Sequence, residues 1–92
     1  YILQCADGTY YVGSTVALEK RIWQHQQGEG AKYVARRLPV ELVYSEEYPR
    51  VDEAYQREQQ VKGWSRVKKE ALIRGDYDEV SLRAKKVFRK KK

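Results

Sequence analysis

The chain has 92 residues, a formal net charge of +6, 41 % hydrophobic and 12 % aromatic residues, one cysteine and no methionine. That describes one small globular domain and excludes a disordered chain or an internal disulfide framework. The charge excludes less than its size suggests. Arg83–Lys92 holds seven Lys/Arg and no acid, which leaves twelve basic against thirteen acidic side chains over residues 1–82. RAKKVFRKKK therefore reads as a solvated extension that can also grip polyanions without specificity. No apolar run approaches the roughly 18–20 residues of a membrane helix, and no basic-then-apolar leader is present. The lone Cys5 fits a reducing, intracellular (cytoplasmic) setting. The chain opens within a strand pattern, so residues upstream of Tyr1 are expected.

In chain order, YILQC and TYYVG are short β-rich runs separated by Ala6-Asp7-Gly8, a hairpin signal. ALEKRIWQHQQ (17–27) spaces Leu18, Ile22 and His25 as one helix, with Thr15 placed to cap it and Gly28 and Gly30 to end it. KYVARRL (32–38) predicts a short helical turn. After Pro39, Val40, Leu42 and Tyr44 alternate as a third strand. Residues 52–62 form a helix with Ala54, Tyr55, Glu58 and Val61 along one inward stripe. Glu46, Glu47, Asp52 and Glu53 read as an exposed acidic edge and helix start. Ser65 caps a further helix, RVKKEALIR, stopped by Gly75, and YDEVSLRAKKVF predicts a last helix. The fold class expected is α+β, a small three-stranded antiparallel sheet flanked by helices. Residues 1–75 would form the domain and 76–92 a basic extension.

Few residues carry chemistry. Arg21 and His25, four apart, share a helix face bordering the buried stripe. Arg21 is either a snorkelling side chain or an anion ligand, and His25 either a hydrogen-bonded boundary residue or a catalyst. Glu58 faces inward, so it must pair with a cation such as Lys62 at i+4 or bind a metal. No Cys/His zinc cluster, phosphate-cradling loop or Ser-His-Asp set is present. Tyrosines, an arginine, a histidine and one inward carboxylate suit phosphodiester hydrolysis with a single hard metal ion. Trp64 is read as core, while Trp23 is either core or a base-stacking surface.

In this order and spacing, the chain resembles the GIY-YIG endonuclease superfamily, in its small stand-alone branch. Tyr1 stands for the tyrosine of the first motif, Tyr11-Val12-Gly13 for the second, and Arg21 and His25 fall in LEKRIWQH. Glu58 lies on the helix after the third strand, and GEGAKYVARR, PVELVYSE and QVKGWSRVKKEAL extend the similarity to about Ile73. The Gly-Ile ahead of the first tyrosine is missing, and the chain has no Asn where many members carry a distal one.

The resemblance implies a metal-dependent endonuclease acting on DNA, in repair or processing of structured strands. Tyr1 or Tyr11 would be the general base, with Tyr1 favoured. Arg21 would bind the scissile phosphate, His25 would assist a tyrosine, and Glu58 would hold Mg²⁺ or Mn²⁺. Tyr10 would pack on the opposite face. Lys32, Arg36, Arg37, Lys68 and Lys69 would hold nucleic-acid phosphates, of DNA or RNA, and a protein partner would supply target choice. The alternatives are a non-catalytic nucleic-acid-binding module and a protein-interaction domain. Tyr1 and Tyr11 share a face only if the hairpin loop is odd in length, and that is the expectation.

Overall fold

The computed structural model describes residues 1–76. The helix expected over YDEVSLRAKKVF and the basic tail lie outside the described residues. Three strands and four helices follow in the order β1 (Ile2–Gln4), β2 (Tyr10–Val12), α1 (Leu18–Gln26), α2 (Lys32–Ala35), β3 (Glu41–Tyr44), α3 (Val51–Lys62) and α4 (Arg66–Arg74). The fold is α+β, and its antiparallel sheet has the strand order β2-β1-β3. Two compact units divide the chain, Tyr1–Lys62 and a second beginning at Gly63.

The hairpin parity follows from its loop. Ile2 pairs Val12, Leu3 pairs Tyr11 and Gln4 pairs Tyr10. Cys5 N–H then donates to Thr9 O at 2.8 Å, leaving a three-residue loop, Ala6-Asp7-Gly8. Gly8 sits at φ +88°, a conformation that residues with a Cβ rarely adopt. Asp7 Oδ1 accepts from Thr9 N–H at 3.1 Å and from the Thr9 hydroxyl at 2.7 Å, fixing the turn. The odd loop expected from the sequence is present.

Alternating side chains divide the sheet into two faces. Leu3 and Cys5 join Val34 and Val40 in a core against which Tyr1, Tyr11, Ile22, Ala31 and Leu38 pack. Leu3 is fully enclosed, and truncating it to alanine would cost about 2–5 kcal/mol. The opposite face buries Ile2 and Val12, with α3 against β2. The third strand does not alternate as expected. Its register shifts between Ile2 and Leu3, so Val43 is an extra residue between the Tyr44 and Leu42 pairings, and Leu42 is left 38 % exposed.

Helix ends follow their local chemistry. Thr15 does not cap α1 as expected: Ala17 holds the N-cap position without a side-chain bond, and Thr15 Oγ1 accepts from Ala17 N–H at 3.1 Å ahead of the helix. Gly28 closes α1, where Glu29 N–H reaches Gln24 O at 2.8 Å. In the second unit, Ser65 caps α4 by accepting from Lys68 N–H, and Gly75 ends it at φ +78°.

Two sequence expectations on α3 and its approach are corrected. Tyr55 is 55 % exposed and does not join the inward stripe, whereas Val61 is buried. Glu46 is not an exposed edge residue. Arg57 Nε and Nη2 donate to its two carboxylate oxygens at 2.9 and 3.0 Å. The Tyr48 hydroxyl adds a bond at 2.6 Å, and the Tyr44 hydroxyl donates as well. Burial pushes the Glu46 carboxyl up, but these hydrogen bonds and the Arg57 charge prevail and hold it at about 2. The bidentate clamp ties the chain just after β3 to α3 one residue before Glu58.

Candidate active site

At the open end of the hairpin, Tyr1 and Gly13 exchange two backbone hydrogen bonds. The Tyr1 nitrogen donates to Gly13 O at 2.8 Å, and Gly13 N–H donates to Tyr1 O at 3.0 Å. This extends the ladder by one pair, so Tyr1 and Tyr11 stand on one face, as expected, with ring centroids 6.4 Å apart. A Cβ on Gly13 would lie 2.7 Å from the Tyr1 hydroxyl oxygen, 2.8 Å from Tyr1 Cζ and 3.1 Å from Tyr11 Cε2. Glycine in TYYVGST therefore makes room for two phenol rings.

His25 arrives from α1, fully buried, with Nε2 2.7 Å from the Tyr1 hydroxyl. Its ring meets Tyr1 and Tyr11 edge-on at 5.8 and 5.4 Å. Nδ1 has no hydrogen-bond partner among the described residues. It faces Gly30, where a Cβ would lie only 2.3 Å away. Because a buried N–H without an acceptor is rarer than a bare lone pair, the ring proton is assigned to Nε2, donating to Tyr1. Burial, reinforced by the Arg21 charge, lowers the His25 pKa and keeps the ring neutral.

Arg21 lies one turn earlier. Burial raises the Tyr1 phenol pKa, while a hydrogen bond and positive charge from Arg21 act against that rise. Arg21 Nη1 donates to Gln24 Oε1 at 3.2 Å. No carboxylate pairs with Arg21 among the described residues, so its charge is available to an anion from outside.

Glu58 completes the set from α3. Its side chain is 12 % exposed, and it accepts from the Ser14 hydroxyl at 2.6 Å on Oε1. Lys62 Nζ lies 2.9 Å from Oε2. Burial raises the Glu58 pKa, but Ser14 and Lys62 outweigh it and keep the carboxylate charged. The Ser14 bond ties the carboxylate to the segment that follows Gly13. The sequence reading missed Ser14, although its position immediately after Gly13 was the available signal. The described residues contain no group of three or more His, Cys, Asp or Glu that could hold a metal. One carboxylate beside a hydroxyl is a hard oxygen donor set, and it fits an ion that keeps most of its waters.

The basic residues divide. Lys32 and Arg36 are exposed beside the Tyr33 segment. Arg37 is engaged within the fold. It pairs with Asp7 at 3.0 Å, donates to Tyr33 O at 2.9 Å, and lies 3.7 Å above the Tyr33 ring. Tyr33 in turn stacks on Tyr11, with centroids 6.2 Å apart. In the second unit, the expected phosphate contact at Lys68 is corrected. That residue is 7 % exposed, and its ammonium sits 4.0 Å from the centre of the Trp64 ring, so its charge is satisfied internally. Lys69 is partly buried there. Trp23 is 56 % exposed, which removes it from the core.

Residues 1–71 match the sequence model of the GIY-YIG catalytic domain. The chain belongs to the GIY-YIG family. Its similarity to a UPF0213 protein of Natronomonas pharaonis is 49 % identity over 73 residues, covering 79 % of this chain and 86 % of that protein. A UPF0213 protein of Halobacterium salinarum is 44 % identical over 73 residues, covering 79 % and 95 %. The solution NMR structure of the UPF0213 protein BH0048 from Bacillus halodurans superposes with a TM-score of 0.52 at 45 % identity, covering 79 % of this chain and 78 % of that one. GIY-YIG domains are nuclease domains; here Tyr1, Tyr11 and His25 meet in one cluster, and Glu58 is bonded to Ser14 just beyond Gly13. Among the described residues, no helix is long and apolar enough to cross a membrane.

Proposed function

We propose that this chain is a divalent-metal-dependent endonuclease that hydrolyses phosphodiester bonds in structured DNA. The observation that carries the reading is the convergence at the hairpin's open end. The Tyr1 hydroxyl lies 2.7 Å from His25 Nε2, the Tyr11 ring packs beside both, and Ser14, two residues after β2, bonds Glu58. Arg21 binds the scissile phosphate through a guanidinium that no carboxylate pairs among the described residues. The Tyr1 oxygen, which accepts from His25 Nε2 and whose raised phenol pKa is opposed by the Arg21 charge, takes a proton from the attacking water. His25 serves by orientation, since its enclosed Nδ1 has no proton route. Tyr11 packs against both rings and positions the water.

Glu58 would hold Mg²⁺ or Mn²⁺, with the Ser14 hydroxyl steadying the carboxylate. When bound, such an ion supplies Lewis-acid stabilisation of the charge on the leaving oxygen. Lys32 and Arg36 hold flanking phosphates.

Cleavage of end-labelled duplex and branched DNA in Mg²⁺ or Mn²⁺ tests the reading. Glu58→Ala should lower the rate at least about a hundredfold while leaving DNA binding in EDTA intact. Wild-type protein that binds DNA but cuts nothing in either metal would overturn it.

A further inference from the structure

Both oxygens of Glu58 are already occupied, by groups of different kinds. Ser14 Oγ is a neutral donor from the segment after β2, 2.6 Å from Oε1. Lys62 Nζ is a full positive charge one helical turn further along α3, 2.9 Å from Oε2. The two partners of this ion pair also differ in access, since Glu58 is 12 % exposed and Lys62 51 %. A largely buried carboxylate needs a cation in the resting fold, and Lys62 is the cation that reaches it. An ammonium and a divalent ion cannot share one oxygen without strong repulsion. The lysine has solvent to swing into, whereas the carboxylate is held by the helix and by Ser14.

We propose that Lys62 is the resident counter-ion of Glu58, which a divalent cation displaces on binding, so that this lysine sets the ion affinity of the site. The inference rests on Glu58 being the metal ligand. Lys62 acts through that carboxylate and is a positioning residue, not a catalytic one.

Mn²⁺ binding to the full chain, measured by electron paramagnetic resonance of the free ion and by calorimetry, tests this without reference to cleavage. Lys62→Met should tighten Mn²⁺ about three- to fivefold by removing both the competing pair and its repulsion. Lys62→Arg keeps the charge and should stay within about twofold of wild type. Lys20→Met, an exposed lysine on α1, controls for net charge and should leave the affinity unchanged. In parallel, Mg²⁺ should shift the side-chain NMR resonances of Lys62 in wild type and leave them in place in Glu58→Gln. Equal Mn²⁺ affinity in wild type and Lys62→Met, with both lost in Glu58→Gln, overturns the counter-ion role and leaves the metal site standing. Binding that survives Glu58→Gln overturns both.

Discussion

Glu46→Gln is the substitution whose consequence is best defined. Glutamine keeps the size of the side chain but removes the charge that Arg57 clamps from two nitrogens at 2.9 and 3.0 Å. A carboxyl lowered from 4.5 to about 2 represents about 3 kcal/mol at 1.36 kcal/mol per pKa unit. The carboxylate keeps 20 % of its side-chain surface in water, and screening there reduces the figure to about 1.5–2 kcal/mol. Because the folded pKa lies below the ordinary value, this stability is complete above about pH 5 and is lost as pH falls toward 2. Urea unfolding of wild type and Glu46→Gln at several pH values between 2 and 7 checks both sign and size. The variants should differ by about 1.5–2 kcal/mol at pH 7, equivalent to about 6–16 °C in Tm for a domain of this size. They should converge near pH 2. A difference that stays constant across the range would refute the linkage and show that Gln disturbs packing instead.

Two further substitutions test the close contacts at the tyrosines. Gly13→Ala places a methyl 2.7 Å from the Tyr1 hydroxyl oxygen, so the oxygen must retreat by about 0.7 Å to reach ordinary contact, and the bond to His25 breaks. Cleavage should fall about 10–100-fold while thermal stability changes by under about 1 kcal/mol; unchanged cleavage would refute the crowding. Gly30→Ala drives a methyl into the buried His25 ring, 2.3 Å from Nδ1, and should cost about 1–3 kcal/mol of stability. The cost should largely vanish in a His25→Ala background, and additive losses in a double-mutant cycle would exclude the contact.

Much of the fold was legible from punctuation. Asp7-Gly8 announced the hairpin, Gly28 and Gly75 the ends of α1 and α4, and Ser65 a cap, because each of these residues acts on its own backbone. The candidate site was legible to the extent that spacing carries it: Tyr1 and Tyr11 by strand parity, Arg21 and His25 by helical turn, Glu58 by its stripe. What escaped depends on partners distant in sequence. Glu46 looked exposed because Tyr44, Tyr48 and Arg57 close on it only once α3 docks. Arg37 and Lys68 looked like free surface charges, yet Asp7 with Tyr33 claims one and Trp64 the other. Tyr55 was drawn inward by a stripe wider than the buried face, and the bulge at Val43 reset the alternation of β3.

The hairpin makes the two motif tyrosines hostage to its register. With Cys5 bonded to Thr9, lengthening the loop by two residues leaves both phenols beside His25. A single insertion taken up by a longer loop keeps the Leu3–Tyr11 pairing and both rings together, whereas one that slips the register sends one ring to the sheet's other side. A peptide grafted between Cys5 and Thr9 therefore spares the cluster as long as that pairing is kept.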